Sequence, residues 1–348
     1  MIIREKVAQS IINLFRVNLC LSEGERALIL ADAPTPNEWN RLDLDFLTAM
    51  TRRVFLARIV GDVAKEAFRT NSIEVYIYPS VGGHGRDLPD DVATKMLASD
   101  VVVGITTYSL THTAATKKAT EAGVRVISMP SVEPEMFYPG GAIDADYKAI
   151  AKDTIKMFEY LVKTDVVHIR SDDGTDLSFS IKGRKCWAET GILAKDSQMK
   201  VGNLPAGEAS VAPVEGTAEG VIVVKANWYP RLNTDMVLLV SKGLVKDVQG
   251  GGSVGEELRN LLKPQEQQQP YILRRNIAEL GIGTNPNAKR TDNVLEAEKI
   301  KGTVHIGIGS NFFLGGNIKT DLHTDFVIPK PDVMFDDKAV IKKGTWLI

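Results

Sequence analysis

The chain has 348 residues, of which 44% are hydrophobic and 25% charged, and its formal net charge is −2 at pH 7. This is an ordinary globular composition, and the near-neutral charge gives no reason to expect nucleic acid or an anionic membrane as a partner. Two cysteines in dissimilar segments suggest no disulfide framework. The N-terminus runs into a charged helical pattern rather than a signal peptide, and no apolar run reaches the roughly 18 residues that span a bilayer, so a cytoplasmic location is expected.

Ile3, Val7, Ile11, Leu14 and Phe15 recur at helical spacing and predict an amphipathic first helix. Buried strands are expected over 26–32, 73–78, 101–106 and 124–129, with helical segments over 37–69, 90–98 and 111–122 between them. Strands alternating with helices at this spacing predict a doubly wound parallel sheet. Such sheets often bind nucleotides, but Ala31-Asp-Ala-Pro-Thr-Pro36 lacks a glycine pattern and places two prolines where a phosphate loop needs backbone donors. His112, in Tyr108-Ser-Leu-Thr-His-Thr, follows a strand's carboxyl end and is a candidate catalytic residue. The plainer alternative is a histidine at a helix start capped by Thr111.

A connecting helix is expected over 142–163. Beyond it, short strands over 166–170, 176–182, 220–224, 236–240 and 244–248 are divided by turn residues, with a short helix over 254–262 and an exposed polar loop over 265–270. The predicted fold class is therefore α/β. A doubly wound parallel-sheet domain over 1–160 is followed by a β-rich α+β domain over 161–348, which holds the metal-binding residues.

Metal-ligand residue types concentrate in the strand-like stretch from Gly302 to Ile328. His323 and Asp325 are two apart, so a strand projects both from one face, and an imidazole beside a carboxylate is a common way to hold a divalent metal. His305 lies in an apolar strand just upstream. Glu279 interrupts Ile277-Ala-Glu-Leu-Gly-Ile-Gly283, and Glu208 follows the turn in Asn203-Leu-Pro-Ala-Gly-Glu208. A carboxylate in such apolar surroundings calls for a cation, a metal or a raised pKa. Glu215 and Glu219 flank the Glu208 segment and read first as turn carboxylates in solvent.

Those residues carry a resemblance to the M29 metallopeptidases, the aminopeptidase T family. The resemblance covers most of the C-terminal half, with a looser echo in Gly24-Glu-Arg-Ala-Leu-Ile-Leu30. It implies a two-metal centre with Zn, Co or Mn held by Glu208, Glu279, His305, His323 and Asp325, in that chain order, with Glu279 bridging. The implied activity is an aminopeptidase that removes N-terminal residues through a metal-activated water, acting on a peptide or small-molecule substrate in a homodimer. The family has a tyrosine where this chain has Phe312, so Glu219 would have to move the proton. A more distant similarity to the 2,5-dihydroxypyridine dioxygenases implies an alternative, a single iron(II) and ring cleavage. That family has a histidine in the segment of Glu279 and no counterpart of His305. A metal-binding protein without turnover is a third reading.

Overall fold

The structure is a computed structural model that describes residues 2–348. The chain forms two compact units. The first runs to Lys148 and takes back Gly191–Ala206, and the second comprises Ala149–Thr190 and Gly207–Ile348.

The first unit begins with α1 (Arg4–Asn13), β1 (Arg26–Ala33), α2 (Pro36–Arg41) and α3 (Leu44–Ala67). It continues through β2 (Ser72–Pro79), α4 (Asp90–Leu97), β3 (Val101–Gly104), α5 (Ala114–Glu121) and β4 (Arg125–Ser128). Helix α6 (Tyr147–Leu161) contains the boundary. It is followed by β5 (Val166–Arg170), β6 (Asp176–Ser180), β7 (Cys186–Glu189) and β8 (Val201–Asn203), the last belonging to the first unit.

Five strands of the first unit pair in parallel in the order β2-β1-β3-β4-β8. Alternate residues of β1 face opposite sides. Leu28 and Leu30 join Val92, Met96, Ala115 and Ala119 of α4 and α5 in one core. On the other side, α3 packs against β1 and β2, its Gly61 so close to Val75 that a Cβ there would overlap that side chain. The sheet is thus doubly wound, as its strand-helix alternation predicted. Helix α5 starts later than expected because its cap is Thr113, which accepts from the Thr116 amide at 3.1 Å, rather than Thr111.

The expected division at 160/161 falls inside α6. A short strand also returns to the first unit: Val126, Ile127 and Ser128 pair with Val201, Gly202 and Asn203. Among the described residues, no helix is long and apolar enough to cross a membrane. Cys20 and Cys186 are both free.

The second unit continues with β9 (Glu208–Val211), β10 (Glu219–Val224), β11 (Met236–Ser241), β12 (Leu244–Gly250), α7 (Gly252–Leu262), α8 (Tyr271–Arg274), β13 (Ile277–Gly283) and α9 (Val294–Ala297). It ends with β14 (Val304–Gly309), β15 (His323–Ile328), β16 (Asp332–Phe335), β17 (Lys338–Lys342) and β18 (Thr345–Trp346).

Two antiparallel sheets result, one in the order β12-β11-β10-β6-β5-β16-β17-β18 and the other β15-β14-β13-β9-β7. Ile222, Leu238 and Val240 of the larger sheet share one core with Leu280, Ile282, Ile306, Ile308, Phe326 and Ile328 of the smaller. With that face of the smaller sheet committed to the core, the period-2 rule sends Glu279, His305, His323 and Asp325 to the other face.

Candidate metal centre

Strand register builds the site. Glu279 of β13 lies opposite Gly307 of β14, which lies opposite Asp325 of β15. Two positions away on either side, Gly281 lies opposite His305, and Gly309 opposite His323. Glycines thus alternate with the functional side chains across the face, and the space above them is what the ligands use. A Cβ on Gly307 would stand 2.7 Å from Asp325 Oδ1, 2.8 Å from Glu279 Cβ and 3.0 Å from His323 Cε1. One on Gly281 would overlap the imidazole of His305.

The five expected ligands come together as two overlapping groups, Glu279–His323–Asp325 and Glu208–Glu279–His305, each with its ligand atoms within 4.8 Å of one another. In the first, His323 Nε2 is 3.1 Å from Glu279 Oε2 and 3.2 Å from Asp325 Oδ2. His323 Nδ1 is 2.8 Å from the carbonyl oxygen of Ser310. A carbonyl only accepts, so Nδ1 carries the proton and Nε2 is aimed at the two carboxylates, the orientation a metal-ligating histidine needs. Phe313 packs edge-on against the same ring at 4.8 Å between centroids. Asp325 Oδ1 is buried and has no hydrogen-bond partner, which fits a carboxylate that gives an oxygen to a metal. These residues fit a divalent ion.

The charges agree with that fit. Burial alone would raise Glu279, but the imidazoles of His305 and His323 outweigh it and hold the carboxylate well below its ordinary range. Burial would lower His323, but the carboxylates of Asp325 and Glu279 drive it well above its ordinary value. The place between them favours a cation.

The second group is shaped differently. His305 is 1% exposed, and its Nε2 is 3.8 Å from Glu208 Oε2 and 3.9 Å from Glu279 Oε1. Burial would lower this imidazole, but the negative charge of Glu208 and its neighbours pushes it up to about 9. Lys299 enters beside it, forming ion pairs with Glu208, with Glu189 at 3.2 Å and with Glu298 at 3.4 Å. Burial pushes Glu298 up to about 8. Lys299 and Glu298 were not expected from the sequence, because Leu295-Glu-Ala-Glu-Lys-Ile-Lys301 has the charge pattern of a solvated helix. The one available signal was its position between two ligand-bearing strands.

Of the two expected catalytic residues, Glu219 is not gathered with the ligands, and His112 lies in the other unit. Glu219 is exposed on β10 of the larger sheet, where it accepts from the Lys242 amide at 2.8 Å and is held below its ordinary range by that bond. His112 belongs to the first unit, exposed in the turn before α5. Phe312 opens a short 3₁₀ turn and is 60% exposed.

Residues 12–347 match the family model of NicX, 2,5-dihydroxypyridine 5,6-dioxygenase. The chain belongs to this family. It is 25% identical to the 2,5-dihydroxypyridine 5,6-dioxygenase of Pseudomonas putida KT2440 over 264 residues, 71% of each chain. In fold the NicX-family chain is similar to the solved 2,5-dihydroxypyridine dioxygenase of the same organism, with a TM-score of 0.72 at 18% identity, covering 100% of this chain and 98% of the other. It is also similar to wild-type AmpT from Thermus thermophilus, with a TM-score of 0.63 at 16% identity over 99% of both chains. The M29 likeness is therefore a distant relationship of fold, and the sequence places the chain in the NicX family. The hydrolase assignment is not carried by these similarities.

Proposed function

We propose that this chain is a metal-dependent dioxygenase that opens a dihydroxylated nitrogen-heteroaromatic ring, with one divalent ion held by Glu279, His323 and Asp325. The observation that carries the metal is the carboxylate of Asp325, whose Oδ1 is buried without a hydrogen-bond partner while its Oδ2 lies 3.2 Å from the oriented Nε2 of His323. Membership of the NicX family over residues 12–347 points to the reaction.

A bound iron(II) would supply positions at which a chelating substrate and dioxygen meet. The chain's part would be to fix the three donors on one face of the sheet, where they could hold such an ion. With Glu279 where the dioxygenase likeness implies a histidine, the donor set is one imidazole and two carboxylates. This harder set suits Fe(II) or Mn(II).

A second reading, the two-metal aminopeptidase, is favoured by one observation: the two ligand groups share Glu279. Against it, Phe312 stands where that reading needs a tyrosine hydroxyl, and Glu219 is not at the cluster. Oxygen uptake separates the two. Iron(II)-loaded protein given 2,5-dihydroxypyridine is expected to consume oxygen and to yield a product heavier by one dioxygen. Cleavage of a leucine anilide but not of its N-acetylated form, without oxygen uptake on the pyridine, would transfer the assignment to the peptidase.

A further inference from the structure

Glu189 of β7 and Glu208 of β9 are directly opposite in register, and like charges placed so repel. Lys299 resolves the conflict. Its side chain is buried and its Nζ contacts both carboxylates as well as Glu298. The lysine is delivered there by backbone. The Asn285 amide donates to the Lys299 carbonyl at 2.9 Å, and the Lys301 amide donates to the Asn285 carbonyl at 3.1 Å. This segment reaches the end of β13 because residue 283 is glycine: a Cβ there would lie 2.8 Å from the carbonyl carbon of Lys299 and overlap the carbonyl oxygen of Ile300.

The oxygen that Lys299 contacts is Glu208 Oε2, the same atom that approaches His305 Nε2. A divalent ion bound to Glu208 through this oxygen, the one that approaches His305, would share it with the ammonium and lie beside that charge. Among the described residues, no lysine or arginine forms an ion pair with the other group, where His323 and Asp325 meet Glu279.

We propose that Lys299 is a built-in cation that takes the place of a second metal on Glu208, so that the chain binds one divalent ion, at Glu279, His323 and Asp325. Lys299 then determines metal stoichiometry, which separates a one-metal from a two-metal member of the same fold. This rests on the reading that the Glu279 group holds a metal, and not on the reaction that follows.

The test uses Mn²⁺ alone. Metal-stripped full-length protein is dialysed against saturating Mn²⁺ and its content measured by elemental analysis, for wild type and for Lys299→Met, which keeps the side chain's length and removes its charge. The expected result is about one Mn²⁺ per chain in wild type and about two in the variant. Because the variant leaves several carboxylates together and could lose its fold, the wild type is also examined by electron paramagnetic resonance. An isolated Mn²⁺ gives six hyperfine lines, and an exchange-coupled pair gives a denser pattern at half the spacing. Two ions in wild type, a coupled spectrum, or one ion in folded Lys299→Met would overturn the proposal. No bound Mn²⁺ in wild type would overturn the metal reading beneath it as well. One ion in wild type and two in the variant would stand even if no oxygen uptake were found.

Discussion

Glu279 Oε2 lies 3.1 Å from His323 Nε2, although the two residues are on strands separated by β14. They meet because the intervening position is Gly307, over which both side chains lean. Glu279 is also the one residue common to both ligand groups, so it is the residue whose charge matters most to any metal bound here.

Glu279→Gln keeps the volume and removes the charge. A ligand that binds only the folded state adds about 2.7 kcal/mol at a hundred times its Kd. Wild type should show that rise in melting temperature with Mn²⁺ or Fe²⁺, and Glu279→Gln should lose most of it while the metal-free protein remains folded. Equal thermal shifts in the two proteins would remove Glu279 from the ligand set.

Gly307→Ala tests the glycine face. Its added methyl would press on Asp325, Glu279 and His323 together, so metal affinity should weaken by about 10–100-fold, the scale seen when the support of a ligand is disturbed. Titration calorimetry measures this. An unchanged Kd would mean that the three side chains do not hold the ion in this arrangement.

Acid stability should depend on Glu215. Burial opposes its charge, but the Asn317 amide, the Asn311 side chain and Arg184 hold the carboxylate down at about 2. These bonds pin the loop that carries Phe313 and Ser310 against His323. A depressed carboxylate stabilises above its unfolded-state pKa, and its contribution disappears as pH falls through the folded value. Wild type should therefore melt higher than Glu215→Gln at pH 7, by roughly 2–4 °C for each kcal/mol contributed. The gap should close between about pH 4.5 and pH 2. A gap that persisted at pH 2 would show that the glutamate's charge is not its source.

The doubly wound sheet was legible because Val101-Val-Val-Gly104 and its companions are apolar runs between helical patterns. Glu279 stood out for the converse reason, a carboxylate inside such a run. His323 and Asp325 were found by a spacing that a strand converts directly into a shared face.

What escaped had no local signal. Val201–Asn203 is only three residues long, and its place beside β4 is set by pairing partners some 75 positions earlier, so the domain boundary was drawn too simply. Arg125, expected within an apolar strand, is buried by an ion pair with Glu25 at 2.6 Å that no pattern near it announces. Lys299 is the costliest omission. Its burial follows from Gly283 and from the register of β7 with β9, long-range facts that a charged stretch of sequence does not display.

One ion in one place distinguishes this centre from a two-metal site. Crystals grown with Fe²⁺ under anaerobic conditions, with diffraction recorded on both sides of the iron absorption edge, would place it. The expected result is a single anomalous peak per chain, bounded by Glu279, His323 and Asp325. A peak of equal height between Glu208 and His305, or no peak near His323, would contradict it.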